Sequence, residues 1–400
     1  MSDKNTTPMG MAEAYIKEKY PDLYMDQVSE VVMSDSKDVT SIYVELKKQG
    51  IKITKSDYES LLKSDAIPRR NKVKEYLENV EFNGFGHIQE RLSFVKLEDE
   101  TMRPYFIDDF KKHIIRTVAQ VFDNRLPNRY VFVLVCPTEN NGKSTFFRTM
   151  NPFYNQEQTY YAESIDFKHA ANELSKRFMI NIEELAELNK NDHEMIKRHI
   201  SSAGDDVRVY YTQMYERRER VASLFATTNR DKFLPPGENT RWIIYRIESI
   251  NFDYYNLRTG KIRVDMNDFW GEAVQLFKDN ADMDPSSEEI RRYISTNLNY
   301  LYETNASMYI QSDLRPSYNY DFIATPTEVT DLINKLHPRA MMKPTQVGMA
   351  LKALGWNSVD HSGTKQYYLE LNHSDPNRHE SVKERLNNIE EAEIRKYNTY

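Results

Sequence analysis

The sequence has very little cysteine, no long apolar stretch and only a small excess of charge. Its single cysteine, Cys136, excludes an internal disulfide and a cysteine-based metal cluster, and it fits a reducing compartment. No apolar run approaches the roughly 20 residues that a membrane-spanning helix needs, and the polar start lacks a signal-peptide core. The 54 basic and 61 acidic residues give a net charge of −7, so any surface for nucleic acid has to be local. We therefore expect a soluble, cytoplasmic protein without a membrane partner.

Residues 131–144, VFVLVCPTENNGKS, combine a predicted buried strand with a phosphate-binding loop. The apolar run Val131–Val135 predicts the strand, and a segment that can be helical follows Ser144. This is the layout of a P-loop, in which backbone N–H groups face phosphate oxygens. Lys143 would contact the outer phosphates of ATP, and the Ser144 hydroxyl would hold Mg²⁺. Pro137 replaces the first glycine of the pattern, so that end of the loop must differ in shape. A chance Gly-Lys-Ser in a loop is the alternative. The residues expected to bind the nucleotide are Thr138, Glu139, Asn140, Asn141, Gly142, Lys143, Ser144 and Thr145.

A second candidate strand, 177–182, ends in two acidic residues about forty positions after the P-loop. At the carboxyl end of such a strand, Glu183 would support the magnesium ion and Glu184 would orient the attacking water. The alternative is that these carboxylates are only the acidic first turn of the next helix. The predicted metal ligands are therefore Ser144 and Glu183.

A third predicted strand, 223–229, ends in Asn229, and a fourth, 241–247, begins with Arg241. In ring ATPases an asparagine after the third strand contacts the γ-phosphate or the attacking water, and a following arginine can stabilise the transferred phosphoryl group. We expect Asn229 and Arg241 to have these two roles, with Arg246 as the second candidate for the arginine. A turn cap for the asparagine and a surface salt bridge for the arginine are the alternatives.

A β-hairpin is predicted before Asn229, with arms at 207–211 and 220–225 around residues 212–219 and with a turn at Asp205-Asp206. Between residues 208 and 246 there are eight basic and four acidic residues, and tyrosines alternate with arginines. This mixture suits single-stranded nucleic acid, whose phosphates need cations and whose bases stack on aromatic rings. A solvated hairpin tip is the alternative. The residues predicted to contact DNA here are Tyr215, Arg217 and Arg218. Tyr210 and Tyr211 belong to the same aromatic and basic pattern.

Over residues 71–278 the sequence resembles the virulence-associated protein E (VapE/VirE) family. The resemblance is carried, in consistent order, by NKVKEYLENVEFNGFGHIQERL, GKSTFF, INIEELAEL, IKRHISSAGDDVRVYY, ATTNRDKFL, ENTRW and DFWGEAVQLF. That family is related to superfamily 3 helicases and to the helicase part of virus-type primase-helicases. The resemblance implies an AAA+-like ATPase that assembles as a ring, typically a hexamer, and moves on DNA during replication of a phage or mobile element.

By motif position, the resemblance implies that Lys143 and Ser144 belong to the Walker A motif and that Asn229 is sensor 1. Glu183 and Glu184 look like the Walker B motif, Arg241 looks like the arginine finger, and the hairpin looks like a DNA-contacting hairpin. Two departures concern hydrolysis more than nucleotide binding: the loop 137–141 is not glycine-rich, and Thr240-Arg241 replaces a pair of arginines. No primase-like segment precedes the ATPase part in this sequence, so a separate primase is expected as a partner.

The C-terminal part predicts a small winged-helix domain. Thr325-Pro326-Thr327-Glu328 is a capping box that opens a helix to Leu336, and a second helix runs over 344–354. Strands at 356–359 and 366–371 would form the wing, whereas 286–301 is predicted helical and 312–320 loop-like. Four basic and no acidic residues lie between 332 and 359. We expect Lys343 and Lys352 to face phosphates of duplex DNA; a protein partner is the alternative.

The sequence thus predicts an α/β protein: an AAA+-like P-loop ATPase core with an N-terminal helical domain and a C-terminal winged-helix domain. We expect an ATP-dependent DNA helicase or translocase that uses ATP and Mg²⁺. A DNA-stimulated ATPase that loads or remodels a partner, and a nucleotide-gated DNA-binding module with weak hydrolysis, are the alternatives. The predicted segments are an N-terminal helical region (1–70), a helical collar (71–128), the ATPase (129–285), a helical linker (286–322), the winged helix (323–372) and a charged tail (373–400).

Overall fold

A six-stranded sheet is the centre of the larger of the two units into which the chain divides. A computed structural model describes residues 7–34, 36–153, 157–208, 215–235, 239–254, 264–302, 304–317, 322–361 and 363–372. The larger unit comprises Met1–Arg230 and Arg241–Ile290, and the smaller one comprises Asp231–Thr240 and Arg291–Tyr400.

The N-terminal part of the larger unit consists of short helices around a small three-stranded sheet. Its elements are α1 (Pro8–Lys19), β1 (Tyr24–Asp26), β2 (Val32–Met33), α2 (Val39–Lys48), α3 (Lys55–Leu62) and β3 (Arg69–Arg70). Capping side chains start the helices: Asp38 accepts from the Ser41 N–H, and Thr54 accepts from the Asp57 N–H. The strand order is β2–β1–β3. Helices α1 to α3 lie in the region 1–70, which was predicted to be helical, whereas its short strands were not predicted.

Three helices follow, as the apolar periodicity predicts. They are α4 (Lys72–Asn79), α5 (His87–Ser93) and α6 (Arg103–Phe122), with the short strand β4 (Val95–Leu97) between the last two. Helix α6 buries polar as well as apolar residues, because Asn128 bonds to the His113 carbonyl at 3.2 Å and to Ser223 Oγ at 3.2 Å. Burial raises the cost of unpaired polar groups, so this network fixes α6 against the sheet.

The main sheet is built from strands that alternate with helices. Between residues 131 and 278 the elements are, in order, β5 (Val131–Val135), α7 (Lys143–Arg148), α8 (Glu157–Tyr160), β6 (Tyr161–Ala162), α9 (Ala170–Lys176), β7 (Met179–Ile182), α10 (Lys190–Ser201), β8 (Gly204–Arg208), β9 (Tyr215–Glu219), β10 (Ser223–Thr228), β11 (Trp242–Ile250) and α11 (Met266–Lys278). Strands β8 and β9 are not part of the main sheet. The strand order is β4–β11–β5–β10–β7–β6, and every pairing is parallel except that of β4 with β11. Strands β5, β7 and β10 are buried at every residue, as expected for a parallel sheet covered on both faces.

The hairpin differs from its prediction in both arms. Strands β8 and β9 form a separate two-stranded sheet, in which Asp205 pairs with Arg218 and Asp206 with Arg217. The predicted turn at Asp205-Asp206 is therefore wrong, because both residues lie within β8 and pair with β9; the Asp205 carboxylate lies 2.8 Å from His199 Nδ1. The second arm ends at Glu219 and does not run into β10, since Arg220 is buried and donates to the Asn128 carbonyl at 2.8 Å. The tip of the hairpin, with Tyr210 and Tyr211, lies outside the described residues.

The C-terminal part of the chain begins with α12 (Ser287–Leu298). The smaller unit then contains α13 (Asn305–Asp313), β12 (Leu314–Pro316), β13 (Phe322–Ala324), α14 (Pro326–Leu336), α15 (Pro344–Ala353), β14 (Ser358–His361) and β15 (Thr364–Leu371). Strand β15 pairs with each of the other three. The capping box is present, since the Thr325 N–H donates to Glu328 Oε2 at 2.6 Å and the Glu328 N–H donates to Thr325 Oγ1 at 3.3 Å. The loop prediction for 312–320 missed the end of α13 and the strand β12. A capping box of Thr304 and Ser307 starts α13.

Candidate functional site

The loop after β5 turns tightly before α7 begins. The Cys136 N–H donates to the Thr228 carbonyl of β10 at 3.0 Å, so the start of the loop is tied to the sheet. Asn140 (φ 54°) and Gly142 (φ 82°) both have left-handed backbone conformations, which asparagine and glycine adopt most readily. A Cβ atom on Gly142 would lie 1.9 Å from the Phe252 ring. Glycine is therefore required at 142, and Phe252 is a residue at the loop that the sequence did not reveal.

Lys143 is buried, with 9% of its surface exposed, and its side chain bends back over the loop. Its Nζ donates to the carbonyl of Cys136 at 3.1 Å and to that of Thr138 at 3.4 Å. Burial lowers the pKa of this ammonium group, because desolvation penalises the charged form. The ammonium group is thus bonded to two neutral carbonyl oxygens at the start of a helix. Phosphate oxygens are charged and would form stronger hydrogen bonds with it than these carbonyls do.

Asn141 has buried side-chain nitrogen and oxygen atoms with no hydrogen-bond partner among the described residues. A buried amide without partners costs free energy, and a ligand that brings both donors and acceptors removes that cost. A hydrated metal–phosphate group offers both kinds of atom. The loop therefore fits a polar, anionic ligand of this type.

The acidic residues follow β7 directly. Glu183 is half-buried and its N–H donates to the Glu163 carbonyl at 3.2 Å, whereas Glu184 is exposed with φ 51°. Helix α10 begins only at Lys190 and has its own cap, Asn189. A short 3₁₀ helix, Leu185–Glu187, lies between β7 and α10, with Glu184 at its N-cap position and Glu187 in its only turn. Both interpretations of the acidic residues, magnesium site and helix start, therefore stay open.

The parallel register brings these segments to one edge of the sheet. Thr228 lies opposite Val135, and Ala226 lies opposite Ile182, so β5, β10 and β7 end side by side. Asn229, directly after β10, donates from Nδ2 to Glu139 Oε1 of the loop at 3.4 Å. The loop, Asn229 and the acidic pair, which are far apart in sequence, therefore lie along the same edge.

An ion pair adds a further contact at this edge. Arg230 pairs with Glu187 at 2.6 Å, which connects the residue after Asn229 to the segment after β7. The sequence analysis did not single out Arg230. Its position next to Asn229 in the chain was the signal that could have revealed it.

Arg241 lies at the opposite edge of the sheet. Trp242 pairs with Val131 and Arg246 pairs with Val135, so Arg241 is about five residues, or roughly 16 Å, from the loop edge. Its guanidinium donates to the Lys197 carbonyl at 3.1 Å and to Ser201 Oγ. Within one chain, Arg241 is therefore not part of the P-loop edge. Arg246, the second candidate, is at the level of the loop and pairs with Glu98.

The one carboxylate cluster with metal-ligand spacing in the described part of the chain is elsewhere. Asp108, Asp109 and Glu289 can bring their oxygens within 4.8 Å of one another. Lys112 already pairs with Asp108 at 3.1 Å and with Glu289 at 2.6 Å, and the Tyr245 hydroxyl donates to Asp109. This cluster is therefore an ion-pair network, and the predicted ligands Ser144 and Glu183 stay a prediction.

The predicted DNA-contacting residues fall in two places. Arg217 is exposed on β9, and Arg218 is half-buried and bonded to other side chains. Tyr215 begins β9, but its side chain lies outside the described residues. Lys343 precedes α15, Lys352 lies in its last turn, and both are exposed.

Comparison with known proteins identifies one family and one similar fold. The model of the virulence-associated protein E-like domain matches residues 77–301. The apo structure of the NrS-1 C-terminal region has a TM-score of 0.50 at 8% identity, and the match covers 91% of this chain and 100% of that one. A second structure of that region, the A form, has a TM-score of 0.45 at 8% identity over 92% and 100% of the two chains. At 8% identity the likeness concerns the mixed α/β fold alone.

No curated protein matches the chain. Among the described residues, the helices are either too short or too polar to cross a bilayer.

Proposed function

The chain belongs to the virulence-associated protein E-like family, and from this membership we propose that it is an ATP-dependent DNA helicase or translocase. It would serve replication of a phage or mobile genetic element, with ATP hydrolysis coupled to movement along single-stranded DNA. The observation that carries the proposal is the common edge at which the loop after β5, Asn229 and the acidic pair after β7 lie together. The strand order β11–β5–β10–β7–β6, with the loop on the central strand, supports an AAA+-like core.

Each residue of this edge has a task in phosphoryl transfer. Lys143 exchanges its loop carbonyls for the outer phosphates of ATP, and Asn229 orients the γ-phosphate or the water. Ser144 and Glu183 would hold Mg²⁺, and Glu184 would accept a hydrogen bond from the attacking water. The magnesium ion supplies positive charge that offsets the charge developing on the transferred phosphoryl group.

Arg241 supports a ring rather than a monomer. It lies at the edge opposite the loop, so its guanidinium can reach a phosphoryl group only in a neighbouring subunit. Helix α10 would position it, through the bonds to the Lys197 carbonyl and to Ser201. We therefore propose a homo-oligomer, a hexamer by analogy with the family, whose ATP sites lie between subunits and which works with a separate primase.

DNA is proposed to bind at two surfaces. The hairpin of β8 and β9 carries the exposed Arg217 and would contact single-stranded DNA. In the smaller unit, α14, α15 and the β14–β15 hairpin follow the order of a winged helix. Lys343 directly precedes α15, Lys352 lies in its last turn, and both are exposed. This second surface suits duplex DNA.

A nucleotide-gated DNA-binding module with weak hydrolysis is the second candidate. The altered loop favours it, because Pro137 replaces the first glycine of the pattern and has no N–H group to offer a phosphate at that end. In that case ATP would bind and switch DNA affinity without rapid turnover.

The decisive experiment is ATP hydrolysis by the full chain with and without single-stranded DNA, wild type beside Lys143→Ala. We expect DNA to stimulate the wild-type rate, and the variant to lose turnover because its phosphate contact is gone. The matched control is Lys52→Ala, which removes one exposed lysine from the N-terminal part. Nucleotide binding without hydrolysis in the wild type would favour the gated module, and hydrolysis retained in Lys143→Ala would contradict both candidates.

A further inference from the structure

Three side chains from distant parts of the sequence meet beside the hairpin. The Glu30 carboxylate, from the turn after β1, accepts from Lys176 Nζ at 2.8 Å and pairs with Arg218 Nη2 at 2.7 Å. The other terminal nitrogen of Arg218, Nη1, donates to Asn172 Oδ1 at 2.7 Å. An anion of the N-terminal part thus lies between two cations, one of which belongs to the proposed DNA-contacting hairpin.

The turn that presents Glu30 is held by its own hydrogen bonds. Buried Asp26 accepts from the Ser29 N–H at 2.7 Å and from the Ser29 hydroxyl at 2.6 Å, and its carbonyl accepts from the Glu30 N–H at 2.9 Å. Glu30 itself has φ 58°, a left-handed conformation that a non-glycine residue seldom adopts. The backbone of the turn therefore fixes the direction in which the Glu30 side chain leaves it, and the ion pairs with Lys176 and Arg218 hold the carboxylate.

The two cations form a compact anion site. The side chains of Arg218 and Lys176 are 16% and 21% exposed, so both are shielded from water. Arg218 Nε is buried and has no partner among the described residues. A guanidinium whose second nitrogen is fixed by an amide, next to an ammonium group, is a donor set that binds phosphate as well as carboxylate.

We propose that Lys176 and Arg218, with Arg218 oriented by Asn172, bind a backbone phosphate of single-stranded nucleic acid, and that Glu30 occupies this site in its absence. The proposal rests on the proposed DNA contact of the hairpin and adds to it a binding site and a task for the N-terminal part. A bound nucleic acid strand brings several phosphates where Glu30 brings one carboxylate, and its binding also releases counterions. Both effects favour displacement of Glu30 from the site by a phosphate. The N-terminal part thereby lowers the affinity of the hairpin for DNA.

The test compares the affinity of Glu30→Gln and wild-type protein for single-stranded oligothymidylate, without nucleotide, by fluorescence anisotropy. Glutamine keeps the size of the side chain but removes its charge, so binding should tighten about three- to ten-fold. Adding Lys176→Ala to Glu30→Gln should reverse the gain, because one of the two phosphate donors is lost. Thermal unfolding of each variant shows that the fold is retained.

The matched control is Glu13→Gln, which removes the same charge from another N-terminal ion pair, with Lys17 at 2.6 Å. An equal gain in this control would trace the effect to net charge and overturn the site. Unchanged or weaker binding in Glu30→Gln would also overturn it. If wild-type protein hydrolyses ATP and binds DNA while Glu30→Gln changes nothing, only this site fails. If wild-type protein binds no single-stranded DNA, the DNA part of the proposed function fails with it.

Discussion

Individual residues of the loop edge have narrow steric tolerances, and Gly142 is the clearest case. We expect Gly142→Ala to weaken ATP binding by about tenfold or more, equivalent to at least about 1.4 kcal/mol. An alanine there would have the unfavourable φ and would also displace the Phe252 ring, which reshapes the loop. Titration with a fluorescent ATP analogue measures the change.

Gly84→Ala provides the matched control for this prediction. Gly84 also has a positive φ, 112°, but a Cβ atom there meets nothing within 4 Å. Gly84→Ala therefore introduces the same kind of backbone strain as Gly142→Ala, but it has no clash like the one with the Phe252 ring. If both variants bind ATP as the wild type does, the contact between Phe252 and the loop is not important for nucleotide binding.

The sequence predicted the local part of this edge and missed the contacts that cross it. The strand Val131–Val135 is confirmed with its predicted bounds. It could be predicted because a strand that is buried on both faces consists of a continuous apolar run. The contact of Asn229 with Glu139, the ion pair of Arg230 with Glu187 and the position of Phe252 depend on parallel register. Register between strands far apart in the chain leaves no periodic signal.

At the scale of whole elements, the ion pair between Lys112 and Glu289 joins α6 to the start of α12. Burial alone would raise the pKa of Glu289, but hydrogen bonds from Lys112 and Ser286 lower it to about 2. A carboxyl group with a lowered pKa stabilises the fold above its unfolded pKa and loses this contribution as pH falls towards the folded value. We expect Glu289→Gln to lower the free energy of unfolding at pH 7 by about 1–2 kcal/mol.

The pH dependence separates this ion pair from a simple packing effect. The difference between Glu289→Gln and wild type should shrink as pH falls from about 4.5 towards about 2, because the unfolded wild-type chain binds a proton at Glu289 in this range while the folded carboxylate stays charged until pH reaches its lowered pKa. Urea unfolding at several pH values measures it. The neighbouring exposed Glu288→Gln should change little, and an equal, pH-independent loss in both variants would contradict the prediction.

Element prediction succeeded where capping and apolar spacing are local signals and failed where the pairing between strands decides. The helix predicted to begin at the capping box Thr325–Glu328 is confirmed as α14. Strand β8 contains Asp205 and Asp206, which are typical turn residues, but both pair with residues of β9 through the backbone. Arg220 was predicted to begin the second arm of the hairpin, whereas it is buried beside Asn128 and lies between β9 and β10. Burial is the largest cause that lowers the pKa of Arg220 to about 9, and the positive charge of Arg129 acts in the same direction as the second-largest cause.

At the scale of the whole molecule, the opposite positions of Lys143 and Arg241 predict shared sites. Neither Lys143→Ala nor Arg241→Ala alone should hydrolyse ATP, although the second should still bind it. An equimolar mixture of the two should regain part of the activity, because a site can combine Lys143 of one subunit with Arg241 of its neighbour. Steady-state hydrolysis after subunit exchange measures this.

A mixture of Arg241→Ala with the double variant Lys143→Ala/Arg241→Ala is the control, because no subunit then supplies the arginine. It should stay inactive. Full activity of Arg241→Ala alone would show that this arginine is not the finger, and Arg246 would become the candidate at the loop edge.

The single thiol of the chain has a practical consequence. Cys136 is 1% exposed at the point where the strand passes into the loop, and its N–H is bonded to Thr228. A thiol reagent can reach it only when this segment opens, and no second cysteine competes for the reagent. The rate of Cys136 labelling is therefore a built-in measure of loop opening, and its slowing by ATP would report nucleotide binding without any engineered probe.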